Sequence, residues 1–84
     1  MRTLGDVRIF VAKINASIDL FGYSPNWLGN FQTQCRKIGR AVCREQGVGY
    51  IEALGLPDDT PLGFESEKLA RTLEDFVANS NDSL

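Results

Sequence analysis

Hydrophobic residues recur every three or four positions through most of the chain, which is the spacing of amphipathic helices. The first such stretch predicts a helix over residues 4–20, because Thr3 with Asp6 three positions later is typical of a helix N-terminus and Gly22 is a natural terminating residue. A strand through residues 7–11 is the alternative, since that segment is rich in β-branched residues, but the longer helical period outweighs it. The apolar positions of this helix are Leu4, Val7, Phe10, Val11, Ile14, Ile18 and Phe21.

Residues 24–46 allow two interpretations. Ser24 and Pro25 form a helix start, with serine as the cap and proline at the first helical position. One interpretation is a single helix that continues to residue 46. In the other, Gly29-Asn30 ends a short helix (25–28) and begins a longer one (31–46), because glycine often follows a helix end and asparagine often caps a start. We favour the break, which predicts a sharp bend directly after residue 28.

The second half of the chain contains one further clear helix. Glycines at positions 47 and 49 interrupt the pattern, so residues 48–54 are compatible with either a helical turn or a short hairpin. A loop follows, and Ser66 is the predicted N-cap of a last helix, with a polar tail after it. We therefore expect an all-α domain over residues 1–78, with about four helices and a helix-turn-helix core, and a flexible tail over residues 79–84.

Composition restricts the chemistry. The 84 residues are 43% hydrophobic and 24% charged, as in an ordinary globular domain. The chain has no histidine and two cysteines, which rules out a Ser-His-Asp arrangement and a four-ligand Cys/His zinc site. We expect no enzymatic activity, cofactor, metal or small-molecule substrate.

The two cysteines and the start of the chain bear on the cellular compartment. Cys35 and Cys43 lie eight positions apart, about 12 Å along one helix, which is too far for a disulfide. Free thiols are typical of a reducing cytosol. The sequence shows neither a leader nor an apolar run long enough to span a membrane, so we expect a cytoplasmic protein with no membrane partner.

Charge is divided unevenly along the chain. Residues 1–46 carry a net charge of +4 and residues 47–84 carry −6, which together give −2. In the helix over residues 31–46, an apolar stripe of Phe31, Cys35, Ile38 and Val42 leaves polar and basic side chains on the outer side. After a tight turn, such a helix has the parts needed to enter a DNA major groove. We expect Gln32, Thr33 and Arg36 to contact bases, and Lys37, Arg40 and Arg44 to contact phosphates.

A protein partner is the alternative to DNA. The acidic second half ends in an amphipathic helix, and its apolar residues Leu69, Leu73 and Phe76 are candidate contacts for a transcription factor. The same three residues would also complete the core of so small a domain. A homodimer would add burial to that core.

Several short segments also carry a family resemblance. The run Leu20-Phe21-Gly22 … Trp27, an arginine-rich helix, and Gly49-Tyr50 … Ala53-Leu54 resemble helix-turn-helix-variant regulators of proteobacterial integrative and conjugative elements, over residues 20–54. The segment Asp6-Val7 … Tyr23-Ser24 … Trp27-Leu28-Gly29 is similar to small helix-turn-helix proteins of alphaproteobacteria. The resemblance implies a bacterial transcriptional regulator of a mobile genetic element, either a DNA-binding activator or a stand-alone antiactivator that binds a transcription factor.

Overall fold

The computed structural model describes residues 1–21 and 26–81, and over these residues the prediction of an all-α chain with four helices is confirmed. No strand occurs in these ranges, although one isolated antiparallel bridge joins Thr3 to Pro61. The helix end predicted at Gly22 and the helix start predicted at Ser24 and Pro25 lie outside the described residues. The helices are α1 (Leu4–Phe21), α2 (Leu28–Gln46), α3 (Tyr50–Leu54) and α4 (Phe64–Asn81).

The N-terminus of α1 is fixed by the two residues that the sequence singles out. The Asp6 N–H donates to Thr3 Oγ1 at 3.2 Å, and the Thr3 N–H donates to Asp6 Oδ2 at 3.1 Å. The Arg2 N–H donates to the same carboxylate oxygen at 2.9 Å. These backbone hydrogen bonds lower the pKa of Asp6, because they stabilise its ionised form. The predicted N-cap of α1 is confirmed.

The predicted break at Gly29-Asn30 is wrong, because α2 passes through both residues without interruption. The Phe31 N–H donates to the Trp27 carbonyl at 3.0 Å, and the Thr33 hydroxyl donates to the Gly29 carbonyl at 3.0 Å. Phe31 is buried and its ring lies edge-on to Trp27 at 5.9 Å. Packing at Phe31 therefore outweighs the local preference of Gly-Asn for a turn. The helix expected over residues 31–46 is present but begins three residues earlier, at Leu28, and residues 26–27 before it form a turn.

Residues 50–54 form a short helix, so the alternative of a hairpin over 48–54 is wrong. Gly47 ends α2 with φ 67° and ψ 34°, the left-handed conformation that favours glycine. Two residues later the chain enters α3, whose first turn is closed by a hydrogen bond from the Ala53 N–H to the Gly49 carbonyl at 2.9 Å.

The start of α4 differs from the prediction. The helix begins at Phe64, so Ser66 is not its N-cap but lies within its first turn, fully buried. The acceptor for this turn comes instead from α2: Glu45 accepts from the Gly63 N–H at 3.1 Å, the Ser66 N–H at 2.9 Å and the Ser66 hydroxyl at 2.5 Å. Burial raises the pKa of Glu45, but these hydrogen bonds outweigh it and the net pKa is lowered.

The C-terminal end of α4 also differs. The helix extends to Asn81, so it includes the first residues of the tail predicted over 79–84, and residues 82–84 lie outside the described part of the chain.

The hydrophobic core lies mainly between α2 and α4, and α1 contributes one buried apolar side chain, Val7. Trp27 packs at the edge of this core, with its ring perpendicular to those of Phe31 and Phe76. None of the helices in residues 1–21 and 26–81 is long and apolar enough to cross a membrane. The buried apolar side chains are Val7, Phe31, Ile38, Ala41, Val42, Ala70, Leu73 and Val77.

Candidate functional site

The side chains predicted to contact DNA all lie on the solvent-exposed side of α2. The buried residues Phe31, Ile38 and Val42 face α4 and the rest of the core, which turns the basic residues outward. The exposed set is Gln32, Thr33, Arg36, Lys37, Arg40 and Arg44.

Three of the four cations in this set are free of ion pairs within the described residues: Arg36, Lys37 and Arg40. Arg44 differs, because its guanidinium lies 2.5 Å from the Glu65 carboxylate of α4. The free positive charge on α2 is thus concentrated at residues 36–40, in the middle of the helix. It is not at the N-terminal end, where a recognition helix usually meets bases.

An open groove of about 620 Å³ runs beside this basic stripe, between α2 and the start of α3. Its walls combine two half-buried cysteines with two arginines and a tyrosine, and no carboxylate among the described residues lines it. Gly39 lies midway along the α2 side, and a Cβ atom placed there would meet no heavy atom within 4 Å. We call this feature the α2–α3 groove; its lining residues are Cys35, Arg36, Gly39, Arg40, Cys43 and Tyr50.

The two thiols are structural parts of the groove. Both cysteines are free, as predicted. Burial raises the pKa of Cys35, because a thiolate is poorly solvated there. Cys35 is therefore a small apolar surface at neutral pH and not a reactive nucleophile.

The groove continues into an exposed apolar patch on α3. Tyr50 is 69% exposed, Ile51 78% and Leu54 61%, and no residue of α3 is buried. A smaller hollow of about 140 Å³ shares Gly39 and Tyr50 with the groove and includes Leu54. Scattered apolar residues are normal on protein surfaces, whereas contiguous exposed apolar patches mark interaction sites. We call Tyr50, Ile51 and Leu54 the α3 patch.

The short helix α3 buries none of its own side chains, and Arg8 of α1 holds it in place. Its guanidinium donates to the Leu56 carbonyl and to Asp58 Oδ1, each at 2.7 Å, and makes longer hydrogen bonds to the Ala53 and Leu54 carbonyls at 3.4 and 3.3 Å. A cation at the C-terminus of a helix also interacts favourably with its dipole. The α3 patch is thereby presented on an anchored element.

The side chains expected to contact a protein partner lie elsewhere. Leu73 is fully buried, and Leu69 and Phe76 are half-buried against the same core. Phe76 also stacks edge-on against Trp27, with ring centroids 6.5 Å apart. The face of α4 that carries these residues is turned toward α2. Their positions therefore agree with the alternative interpretation, in which they complete the core.

Sequence reasoning missed Gly39, Arg8 and the α3 patch. A signal for the patch was present: Tyr50, Ile51 and Leu54 stand between glycine-rich turns in a segment too short to cover them. Gly39 was a weaker signal. A glycine inside a helix lowers its stability relative to alanine, so its presence there indicates that a side chain at this position would be unfavourable for packing or for binding.

No protein-family model, curated protein or solved structure matches this chain. Within residues 1–21 and 26–81, no three cysteine, aspartate or glutamate side chains are grouped closely enough to hold a metal ion.

Proposed function

We propose that this chain is a cytoplasmic regulator that acts by docking on a transcription-factor protein, as an adaptor or antiactivator, through the α2–α3 groove and the α3 patch. The observation that carries the proposal is the anchored, exposed α3 patch. The resemblance to regulators of integrative and conjugative elements supports the choice of a transcription factor as the partner.

The energetics of the α3 patch favour a protein partner. Full burial of a leucine or isoleucine side chain is worth about 1.5–3 kcal/mol, and the fold leaves Ile51 and Leu54 mostly exposed. A partner that covers both side chains recovers this free energy, whereas a DNA backbone offers no comparable apolar surface. An apolar centre beside the exposed Arg36 and Arg40 is the usual composition of a protein interface.

The experiment is an affinity capture from the native host with nuclease-treated lysate at high salt. Ile51→Ser combined with Leu54→Ser removes the two aliphatic side chains of the α3 patch. Phe64→Ser is the matched control, because Phe64 is 88% exposed and borders a different hollow, with Glu67, Lys68 and Arg71.

We expect the wild-type chain and Phe64→Ser to retain the same protein, one with a DNA-binding domain, and the double variant to lose it. The purified pair should then show altered occupancy of that protein's DNA site. Equal capture by the double variant, or no effect on DNA occupancy, would contradict the proposal.

DNA binding through α2 is the second candidate function, favoured by Arg36, Lys37 and Arg40, which are exposed and form no ion pair with any described residue. In the absence of a turn at Gly29, the contact would involve the middle of α2. Fluorescence anisotropy with duplex DNA tests this: affinity should fall steeply with salt and be lost in Arg36→Ala combined with Arg40→Ala. Direct binding of this kind would replace the adaptor proposal, and unchanged affinity in the variant would rule out α2 as the DNA-binding surface.

A further inference from the structure

The two charged residues that line the α2–α3 groove are both basic. Arg36 and Arg40 form its rim, both are exposed, and neither pairs with a carboxylate in the described part of the chain. Because like charges four residues apart on a helix repel each other, the pair gains most from a binding partner that brings negative charge. The rim thus selects for acidic groups on whatever occupies the groove.

The length and floor of the groove fit a helix. Cys35 and Cys43 mark its two ends along α2, about 12 Å apart at 1.5 Å per residue. The anchor positions i and i+7 of a helical peptide span about 10.5 Å, which matches that length. Gly39 lies midway between the two cysteines and leaves an open notch where a central anchor side chain can enter.

We propose that the groove binds an acidic amphipathic helix of the partner protein, with its apolar stripe along Cys35, Gly39 and Cys43 and its carboxylates toward Arg36 and Arg40. This inference rests on the proposed docking function and specifies the partner's chemistry. Helix-in-groove recognition of this kind uses apolar anchors for affinity and flanking charge for orientation and choice of partner.

A second copy of the chain is a poorer occupant. The long acidic helix, α4, already uses the apolar residues Ala70, Leu73 and Val77 in its own core, so it has no such stripe left to offer. In α1 the acidic residues Asp6 and Asp19 are balanced by Arg8 and Lys13, so the charge of this helix would not complement the basic residues of the groove.

The first experiment is a charge exchange measured by fluorescence anisotropy with three labelled peptides. One is an amphipathic helix with leucines at i, i+3 and i+7 flanked by glutamates; in the second every glutamate is replaced by lysine; the third is a scramble of the acidic sequence. We expect the wild-type chain to bind the acidic helix at least about tenfold more tightly than the other two. Arg36→Glu combined with Arg40→Glu should reverse that preference and bind the basic helix.

The second experiment fills the notch. Gly39→Met should weaken binding of the acidic helix by about tenfold or more, because a side chain then occupies the space of the central anchor. Gly29→Met is the matched control, because Gly29 is also a helical glycine of α2 with nothing within 4 Å of a Cβ, and it lies outside the groove.

Each outcome decides one of the two proposals. Equal affinity of the wild-type chain for acidic and basic helices, no effect of the charge reversal, or equal effects of the two methionine variants would overturn the inference. Sedimentation as a dimer that dissociates in the Gly39→Met variant would assign the groove to a second copy and also overturn the inference. If the transcription factor is captured equally by the charge-reversed chain, the docking function stands and the acidic helix does not. If the acidic helix binds but no transcription factor is captured, the groove's preference for an acidic helix stands and the docking function on a transcription factor does not.

Discussion

Replacement of Gly39 by alanine should stabilise the protein. Gly39 lies in the interior of α2, where glycine costs about 0.5–1 kcal/mol relative to alanine. The added methyl group would meet no heavy atom within 4 Å, so no steric cost offsets the gain. We therefore expect the free energy of unfolding to rise by about 0.5–1 kcal/mol, which corresponds to an increase in Tm of about 2–8 °C for a domain of this size.

The assay is thermal and urea unfolding followed by far-UV circular dichroism. Gly63→Ala provides a control of opposite sign, because its Cβ would lie 2.5 Å from Glu45 Cδ and 2.6 Å from Oε2. That carboxylate is fixed by its hydrogen bonds to the start of α4, so it cannot move without losing them, and each lost bond of this kind costs about 1–3 kcal/mol. If Gly39→Ala has the same or lower stability than the wild type, the open notch in the continuous helix α2 is refuted.

Three further perturbations test other parts of the account. Leu73→Ala should cost about 2–5 kcal/mol in urea unfolding, because the side chain is fully buried; a loss below 1 kcal/mol would place Leu73 outside the core. Glu45→Gln should be less stable than the wild type at pH 7, and the difference should vanish in acid. The pKa of Glu45 is lowered from 4.5 in the folded chain, so its contribution is present above pH 4.5 and is lost as the pH falls through the folded pKa; a constant difference across this range would contradict that role. Arg8→Ala should speed amide hydrogen exchange in α3, since the guanidinium anchors the Leu56 carbonyl, while global stability falls by only about 1 kcal/mol because the side chain is partly exposed; unchanged exchange at Ala53 would show that α3 is held by other contacts.

Local sequence signals predicted α1 well because they act within a single turn. Thr3 and Asp6 satisfy each other's backbone N–H groups whatever the rest of the chain does, so the sequence locates that N-terminus. The same reasoning failed at Gly29 and Asn30. Their preference for a turn is worth about 1 kcal/mol, and the burial of Phe31 against Trp27 and α4 is worth more.

The start of α4 and the exposure of α3 depend on tertiary contacts that one sequence does not specify. Ser66 looks like an N-cap in sequence, but a carboxylate 21 residues away caps the helix instead. Tyr50, Ile51 and Leu54 could equally have been core residues in a different arrangement of the same four helices. Their exposure follows from where Arg8 and the loop after α3 hold that short helix.

The basic stripe was predictable as a surface but not as a site. Periodicity places Arg36, Lys37 and Arg40 outward, and the structure places them there. Periodicity could not reveal that Glu65 pairs with Arg44, nor that an apolar groove lies beside the stripe. The Arg44–Glu65 ion pair and the apolar groove are the two observations that led us to propose a protein partner before DNA.

Backbone amide chemical-shift mapping of the ¹⁵N-labelled chain, titrated with the unlabelled acidic amphipathic peptide, tests the docking surface most directly. We expect the largest saturable changes at Gly39, Cys43, Tyr50 and Ile51, along the α2–α3 groove and the α3 patch. Shifts concentrated around Phe64 and Lys68 on α4, or no saturable shifts at all, would contradict the assignment of this face as the docking surface.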